Sequence, residues 1–277
     1  MAVPTLEGPA GTESARALDR HIELTDPEEL ELEGGRMSFL EHLDELRKRL
    51  IASIIGIAAG CIVGFLLLTR VFHFIMVPLQ QMLPDGGKMI TTGPTEMFML
   101  YIKVGFLLGL LIAAPWVLYQ VWLFVAPGLY SHEKRFAIPF VLVASIFFFG
   151  GAAFAHYVAF PTVWRFFIDF GTDEFVVFMP KIGDVFALYA KILLGLGIVF
   201  QMPILVLALA RMGLITAGFM IRNFKYALLI IAILGALISP GGDVVGQMVM
   251  GGPMLVLYVL SIGVAWVFQR RGADAEA

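Results

Sequence analysis

Six stretches of the chain, roughly 50–69, 97–124, 137–160, 185–210, 224–239 and 247–268, are long, apolar and almost free of charge. A bilayer has a hydrocarbon core about 30 Å thick, so a crossing helix needs about 20 mostly apolar residues. No water reaches that core, and each backbone N–H and C=O must be satisfied within its own helix. The segments therefore predict an all-α membrane protein with six transmembrane helices. A mean hydropathy of +0.87 and a charged fraction of only 15% agree with this class, because soluble domains carry about 25% charged residues.

Six crossings put both termini on one side, and the bases say which. Arg47, Lys48, Arg49, Lys134, Arg135, Arg211, Arg222, Lys225, Arg270 and Arg271 fall on the side of the termini, against Arg70, Lys88, Arg165 and Lys181 on the other. An excess of Lys and Arg marks the cytoplasmic side, so both termini are expected in the cytoplasm. Lys103 and Lys191 lie inside spans near the outer ends, where they are expected to snorkel to the interface. Residues 1–36 hold nine acids and three bases and no apolar core of the kind a cleavable signal peptide has. They are expected to be a retained, disordered cytoplasmic tail, followed by a membrane domain over 37–268 and a short tail over 269–277.

The spans are uneven. The apolar part of the fifth, Tyr226 to Ile238, gives about 20 Å of helix, too short to cross comfortably. The sixth is expected to bend near Gly251, Gly252 and Pro253. Val77-Pro78-Leu79 with Pro84-Asp85-Gly86-Gly87, and then residues 161–184, read as outer loops long enough to cap the outer face. Gln201 falls about 26 Å along its helix from Asp184 and about 15 Å from Arg211, hence well inside the bilayer beside a bend at Pro203.

Just before the first span stands MSFLEHLDELRKRL, residues 37–50. Ser38 and Glu41 have capping-box spacing, and Phe39, Leu43, Leu46 and Leu50 form one apolar stripe. Acids (Glu41, Asp44, Glu45) precede bases (Arg47, Lys48, Arg49), which suits the helix dipole and sets Asp44–Lys48 and Glu45–Arg49 pairs. By these rules the segment is an interfacial helix or an acid-bearing docking surface. At the inner end of the second span, APWVLYQVWLFVAPGLYSHEKR places Trp116, Tyr119, Trp122 and Tyr130 at headgroup depth, has Pro115 kink the helix and Pro127-Gly128 end it, and leaves Glu133 among bases.

Several chemistries are disfavoured. Cys61 has no second cysteine to pair with, and the five histidines (His21, His42, His73, His132, His156) lack a paired ligand spacing, so neither disulfide nor metal site is expected. No GxxxxGK[ST] loop, HExxH or paired intramembrane aspartates occur, and no cofactor or enzymatic activity is expected. A small-solute secondary transporter is the alternative. It would favour repeated halves and a polar midplane cluster, whereas the bases here keep to the edges and Gln201 is isolated.

The order of HLDELRKRL, VPL, APWVLYQVWLFVAPGLYSHEKR, FPTVWRF, FQMPI and SPGGDVVGQ over residues 37 to about 268 resembles the TatC family, the multispanning receptor subunit of the twin-arginine protein translocase. The resemblance implies a concave bundle in a bacterial cytoplasmic (inner) membrane that binds the paired arginines of signal peptides at its cytoplasmic face. It also implies assembly with TatA-like and TatB-like single-span subunits and further copies of itself, export of folded cargo on the proton-motive force, and no nucleic acid. Carried to this chain, Glu45 and Glu133 are the acids, with His42, Leu46, Arg47 and Arg49 shaping the helix and Phe124, Pro127, Tyr130, Lys134 and Arg135 the loop. Pro78 and Phe98 in the outer cap, Tyr119, Gln120 and Trp122 at the second span, and Asp243 and Gln247 at the last outer turn complete the set. Where the family often has a membrane-facing glutamate this chain has Gln201, which implies a polar hold on a partner's helix without a titrating carboxyl.

Overall fold

A computed structural model describes residues 39–84, 87–125, 137–171, 178–239 and 244–273. The chain divides into two compact units, Met1–Lys48 and Arg49–Ala277. In the first unit the described residues from Phe39 onward are helical. The second unit is a helical bundle. The helices are α1 (Phe39–Gln81, begun in the first unit), α2 (Glu96–Val125), α3 (Ala137–Phe154), α4 (Phe160–Gly171), α5 (Ile182–Val199), α6 (Met202–Arg211), α7 (Ala217–Arg222), α8 (Phe224–Ile238) and α9 (Val244–Ala273). Among the described residues five helical runs are long and apolar enough to cross a bilayer, and α8 is a shorter apolar helix. Its 15 residues make about 22 Å, the short fifth crossing that the sequence predicts.

The core sits where α2, α3, α4 and α5 meet, with Val104, Ala155, Ala159, Val163, Ile192 and Leu196 all but sealed from solvent. α9 packs along α6 and α8. The joint between α3 and α4 is a π turn, Ala155–Ala159, in which the Phe160 N–H donates to the Ala155 carbonyl. Pro161 follows and has no N–H to continue the ladder, so the wide turn lets the helix pass through the proline. The turn also presents buried His156 to Tyr189, with Nδ1 3.0 Å from the phenol oxygen, while Phe74 stacks on the imidazole at 4.7 Å.

Two expectations about loops are corrected, and the last span is one continuous helix. Val77-Pro78-Leu79 is not loop but the last turn of α1; Ile75, Met76 and Leu79 are buried, and the Trp164 indole donates to the Leu79 carbonyl at 3.3 Å. Burial there outweighs the donor lost at Pro78. Residues 161–171 likewise extend α4, because Phe160, Val163, Trp164 and Ile168 make a buried stripe at helical spacing. α9 passes through Pro253 without interruption, held on either side by fully buried Met250 and Met254.

Other breaks fall where residue chemistry requires. Pro203 cannot donate to Val199, and the ladder is remade with Gln201 N–H donating to Ile198 at 2.9 Å and Leu205 N–H to Gln201 at 2.9 Å. α6 ends in a Schellman motif: the Leu214 N–H donates to Leu209 at 3.0 Å and the Gly213 N–H to Ala210 at 3.1 Å. Gly213 has φ +72°, a conformation glycine adopts without Cβ cost. Thr216 then caps α7, its hydroxyl oxygen accepting from Phe219 N–H at 3.2 Å.

The segments after α1 and before α5 meet at one end of the bundle. Ile90 N–H donates to Pro180 at 3.0 Å and Ile182 N–H to Ile90 at 3.1 Å, a parallel bridge of Ile90 with Lys181. Glu96 clamps the same place: its carboxylate accepts from the Thr92 N–H at 2.7 Å and from the Gly183 N–H. The cap expected of these two loops is held together here by a bridge and one acid. Glu96→Ala is expected to speed hydrogen exchange at the Ile90 and Ile182 amides several-fold while leaving α8 and α9 amides unchanged; equal rates would show that the bridge stands without the carboxylate.

α1 and α2 approach through small residues. Gly60 and Gly64 on α1 face Gly105, Gly109 and Ala113 on α2, and Gly56, one turn earlier, faces the Trp116 ring. A Cβ on Gly60 would lie 2.5 Å from the Gly109 carbonyl oxygen, and one on Gly109 2.6 Å from the Cys61 Cα. Without a hydrophobic drive between helices in lipid, such close backbone approach is what holds a pair together.

Candidate functional site

In the first unit, Glu45 is half-buried, as is His42, while Glu41, Asp44, Arg47 and Lys48 are exposed. Leu43 and Leu46 are each 43% exposed, so the expected apolar stripe leaves a substantial surface uncovered. Asp44 and Lys48 stand four apart on the same helix, as the sequence reading requires. Ser38, the expected cap, lies outside the described residues.

In the second unit, the start of its first helix is tied to the end of α2. The Arg49 guanidinium donates to the Gln120 Oε1 at 3.4 Å, and the Trp116 indole donates to the Ala52 carbonyl at 2.9 Å. Ser53 donates to the Arg49 carbonyl at 2.8 Å. Gln120 is buried, only 3% exposed, so the amide is held where one partner is a cation. Tyr119 is half-buried, its ring tilted against Trp116 at 5.9 Å. The structure thus joins Arg49 and Gln120, which the sequence reading assigned to separate roles.

Two further predicted residues also come together. Trp122 is buried and stacks on Phe140 with centroids 3.7 Å apart and planes at 26°. It shares with Gln201 the wall of an apolar groove of about 100 Å³ between α2, α3 and α6. Gln201 is half-buried, and its amide nitrogen donates to the Ala144 carbonyl at 3.1 Å. Phe124 is half-buried on the last turn of α2. At the bridged end, Phe98 is 62% exposed and Pro78 is half-buried. Gln247 spans α9 to α8, donating to the Ala232 carbonyl at 2.9 Å, where Gly235 lets the backbones close in. Pro127, Tyr130, Glu133, Lys134, Arg135 and Asp243 lie outside the described residues.

Sequence reasoning missed three features. The G-x-x-x-G-x-x-x-G of Gly56, Gly60 and Gly64 was present as a spacing signal. The π turn left only the weak cue of a histidine five residues before a proline. The clamp of Glu96 gave no cue at all, since apart from the Thr92 hydroxyl its partners are backbone amides. Among the described residues no group of three or more His, Cys, Asp or Glu could hold a metal ion.

The comparisons with known proteins agree with one another. The family profile of the Sec-independent protein translocase protein (TatC) matches residues 41–253. A Sec-independent protein translocase protein TatC of Koribacter versatilis is 43% identical over 83% of this chain and 86% of its own length. One from Desulforapulum autotrophicum is 39% identical over 88% and 90%. Two crystal structures of the twin-arginine translocase receptor TatC superpose: one at 35% identity with a TM-score of 0.73, covering 81% of this chain and 98% of that one; the other, in DDM, at 36% and 0.75, covering 81% and 99%. Together with the apolar helices, these likenesses make the chain a multi-pass membrane protein, and it belongs to the TatC family of Sec-independent protein translocase proteins.

Proposed function

We propose that this protein is the receptor and core subunit of a twin-arginine translocation system, binding Arg-Arg signal peptides and gathering partner subunits to export folded proteins. The observation that carries the reading is its likeness to the twin-arginine translocase receptor over 81% of the chain at 35% identity. Glu45 and Glu133 accept the two guanidiniums. Each fork of N–H donors meets a carboxylate through two parallel hydrogen bonds, which an ammonium cannot reproduce. Leu46, Arg47 and Arg49 shape the helix beside the peptide, and Phe124, Pro127, Tyr130, Lys134 and Arg135 shape the loop. Within the second unit, the Arg49–Gln120 and Trp116–Ala52 hydrogen bonds hold α1 from Arg49 onward against α2.

The protein works in the cytoplasmic membrane of a bacterium with both termini inside, the acidic residues 1–36 forming a tail ahead of the membrane domain at 37–268. TatA-like and TatB-like single-span subunits and further copies of the chain are its partners, and the proton-motive force supplies the energy. Gln201 serves as a polar hold for a partner helix, with Pro78, Phe98, Asp243 and Gln247 keeping the far end in shape. The buried polar side chains among the described residues, Gln120, His156, Ser239 and Ser261, belong to three different helical segments and the end of a fourth, which does not favour the midplane cluster of a solute transporter.

The reading is tested in cells that lack their own TatC and receive this chain with its partner subunits. A folded fluorescent reporter with an Arg-Arg signal is expected outside the membrane, and the same reporter with Lys-Lys is expected to stay inside. Equal export of both reporters contradicts the proposal.

A further inference from the structure

The groove walled by Trp122 and Gln201 does not end at α6. A second depression of about 150 Å³ is lined by Pro139, Phe140, Ile204, Leu207 and Arg211. Phe140 and Ile204 wall both spaces, so they form one channel along α6 from Gln201 to Arg211. Ten residues of helix separate those two side chains, about 15 Å, which is half of a hydrocarbon core of about 30 Å. The channel therefore runs the depth of one leaflet.

Its chemistry changes along that length in an informative order. Arg211 is exposed at one end, its guanidinium 5.0 Å from the centre of the Phe268 ring. One turn inward Ala208 shares the groove wall with Trp122, whose indole N–H is buried and has no hydrogen-bond partner among the described residues. Beyond it the wall is apolar as far as Gln201. Cation, then a donor needing an acceptor, then hydrocarbon is the complement of phosphate, ester carbonyl and acyl chain.

We propose that this channel binds an anionic phospholipid of the leaflet in which Arg211 lies. The phosphate pairs with Arg211, a slight tilt of the indole on Phe140 brings Trp122 Nε1 to an ester carbonyl, and one acyl chain lies between α3 and α6. This inference is independent of the signal-peptide site and adds a ligand to the helices that carry Gln201.

The test uses the full chain, stripped of loosely held lipid and titrated with phosphatidylglycerol or phosphatidylcholine under native mass spectrometry. The unmodified protein is expected to hold one phosphatidylglycerol about tenfold more tightly than phosphatidylcholine, the scale of one charge-assisted contact. Arg211→Gln removes that preference, Trp122→Phe weakens retention about fivefold, and Arg165→Gln, an exposed base on α4, changes nothing. A second readout guards against poor folding of the variants: Trp122 as the sole tryptophan in nanodiscs is quenched more strongly by dibrominated phosphatidylglycerol than by dibrominated phosphatidylcholine. Equal binding of the two lipids by the unmodified protein overturns the proposal. So does photocross-linking from position 205 that captures a protein helix and no lipid.

Discussion

Replacing Glu45 and Glu133 together by alanine is expected to weaken binding of an Arg-Arg signal peptide by about a hundredfold or more. Hydrogen bonds to charged groups contribute about 1.5–3 kcal/mol each, and about 1.4 kcal/mol is tenfold in affinity. Loss of two such contacts therefore spans at least two decades. The single variants are expected to lose roughly one decade each, and Glu→Gln at either position to lose nearly as much as alanine, because the amide keeps the shape and drops the charge. Glu45 is half-buried on a helix with exposed neighbours, so its removal is expected to shift stability by no more than about 0.5 kcal/mol. Binding is measured by fluorescence anisotropy of a labelled peptide against the full chain in nanodiscs, at low and at physiological salt. Retained affinity in the double variant, with the bundle intact, would remove the carboxylates from recognition.

Gly109→Leu is expected to open the seam between α1 and α2 and to cost about 2–4 kcal/mol, above the usual overpacking penalty because the new side chain meets backbone. The geometry leaves no easy escape. A Cβ at that position stands 2.7 Å from the Cys61 amide nitrogen and 2.6 Å from its Cα, and neither atom can swing aside. Gly60→Leu drives the same helices apart from the other side, its Cβ 2.5 Å from the Gly109 carbonyl oxygen. Gly150 has nothing within 4 Å of its Cβ direction and serves as the control, where Ala is expected to be neutral or slightly stabilising. Cys61, the only cysteine in the chain, sits in the seam and reports its opening. Thiol-reactive dye is expected to label it at a clearly lower temperature in Gly109→Leu and at the unmodified temperature in Gly150→Ala. Unchanged labelling in Gly109→Leu would mean that the two helices are held by something other than their glycines.

Hydropathy located the helices because the bilayer imposes one rule on every span: satisfy the backbone internally and face lipid with carbon. Even the short α8 was visible as an apolar run of inadequate length. What hydropathy could not separate was a helix end from a loop. Pro78 and Pro161 read as loop starts, yet buried Leu79 and Trp164 draw both segments into helices, and only tertiary contact decides such a case. The amphipathic spacing of Phe160, Val163, Trp164 and Ile168 was there to be counted, but Pro161 among them masked it.

The candidate site was legible in a different way. Glu45 and Glu133 stood out as acids where a membrane anchor favours bases, and family order gave them a role. Gln120 and Trp122 could be named but not paired, because Arg49 lies 71 residues from Gln120 and Phe140 stands on the next helix after the one that carries Trp122. Gln201 illustrates the limit most clearly. Its expected depth rests on helix rise alone, whereas its amide hydrogen bond to Ala144 and its place in a channel shared with Trp122 depend on how α3 crosses α6.

The most direct test of the receptor account is site-specific photocross-linking of an Arg-Arg signal peptide to probes placed along residues 42–49 and 124–135, with the partner subunits present. Adducts are expected from both segments, strongest beside Glu45 and Glu133, and are expected to vanish when the peptide carries Lys-Lys. Adducts confined to other surfaces, or equal yields from the two peptides, would contradict it.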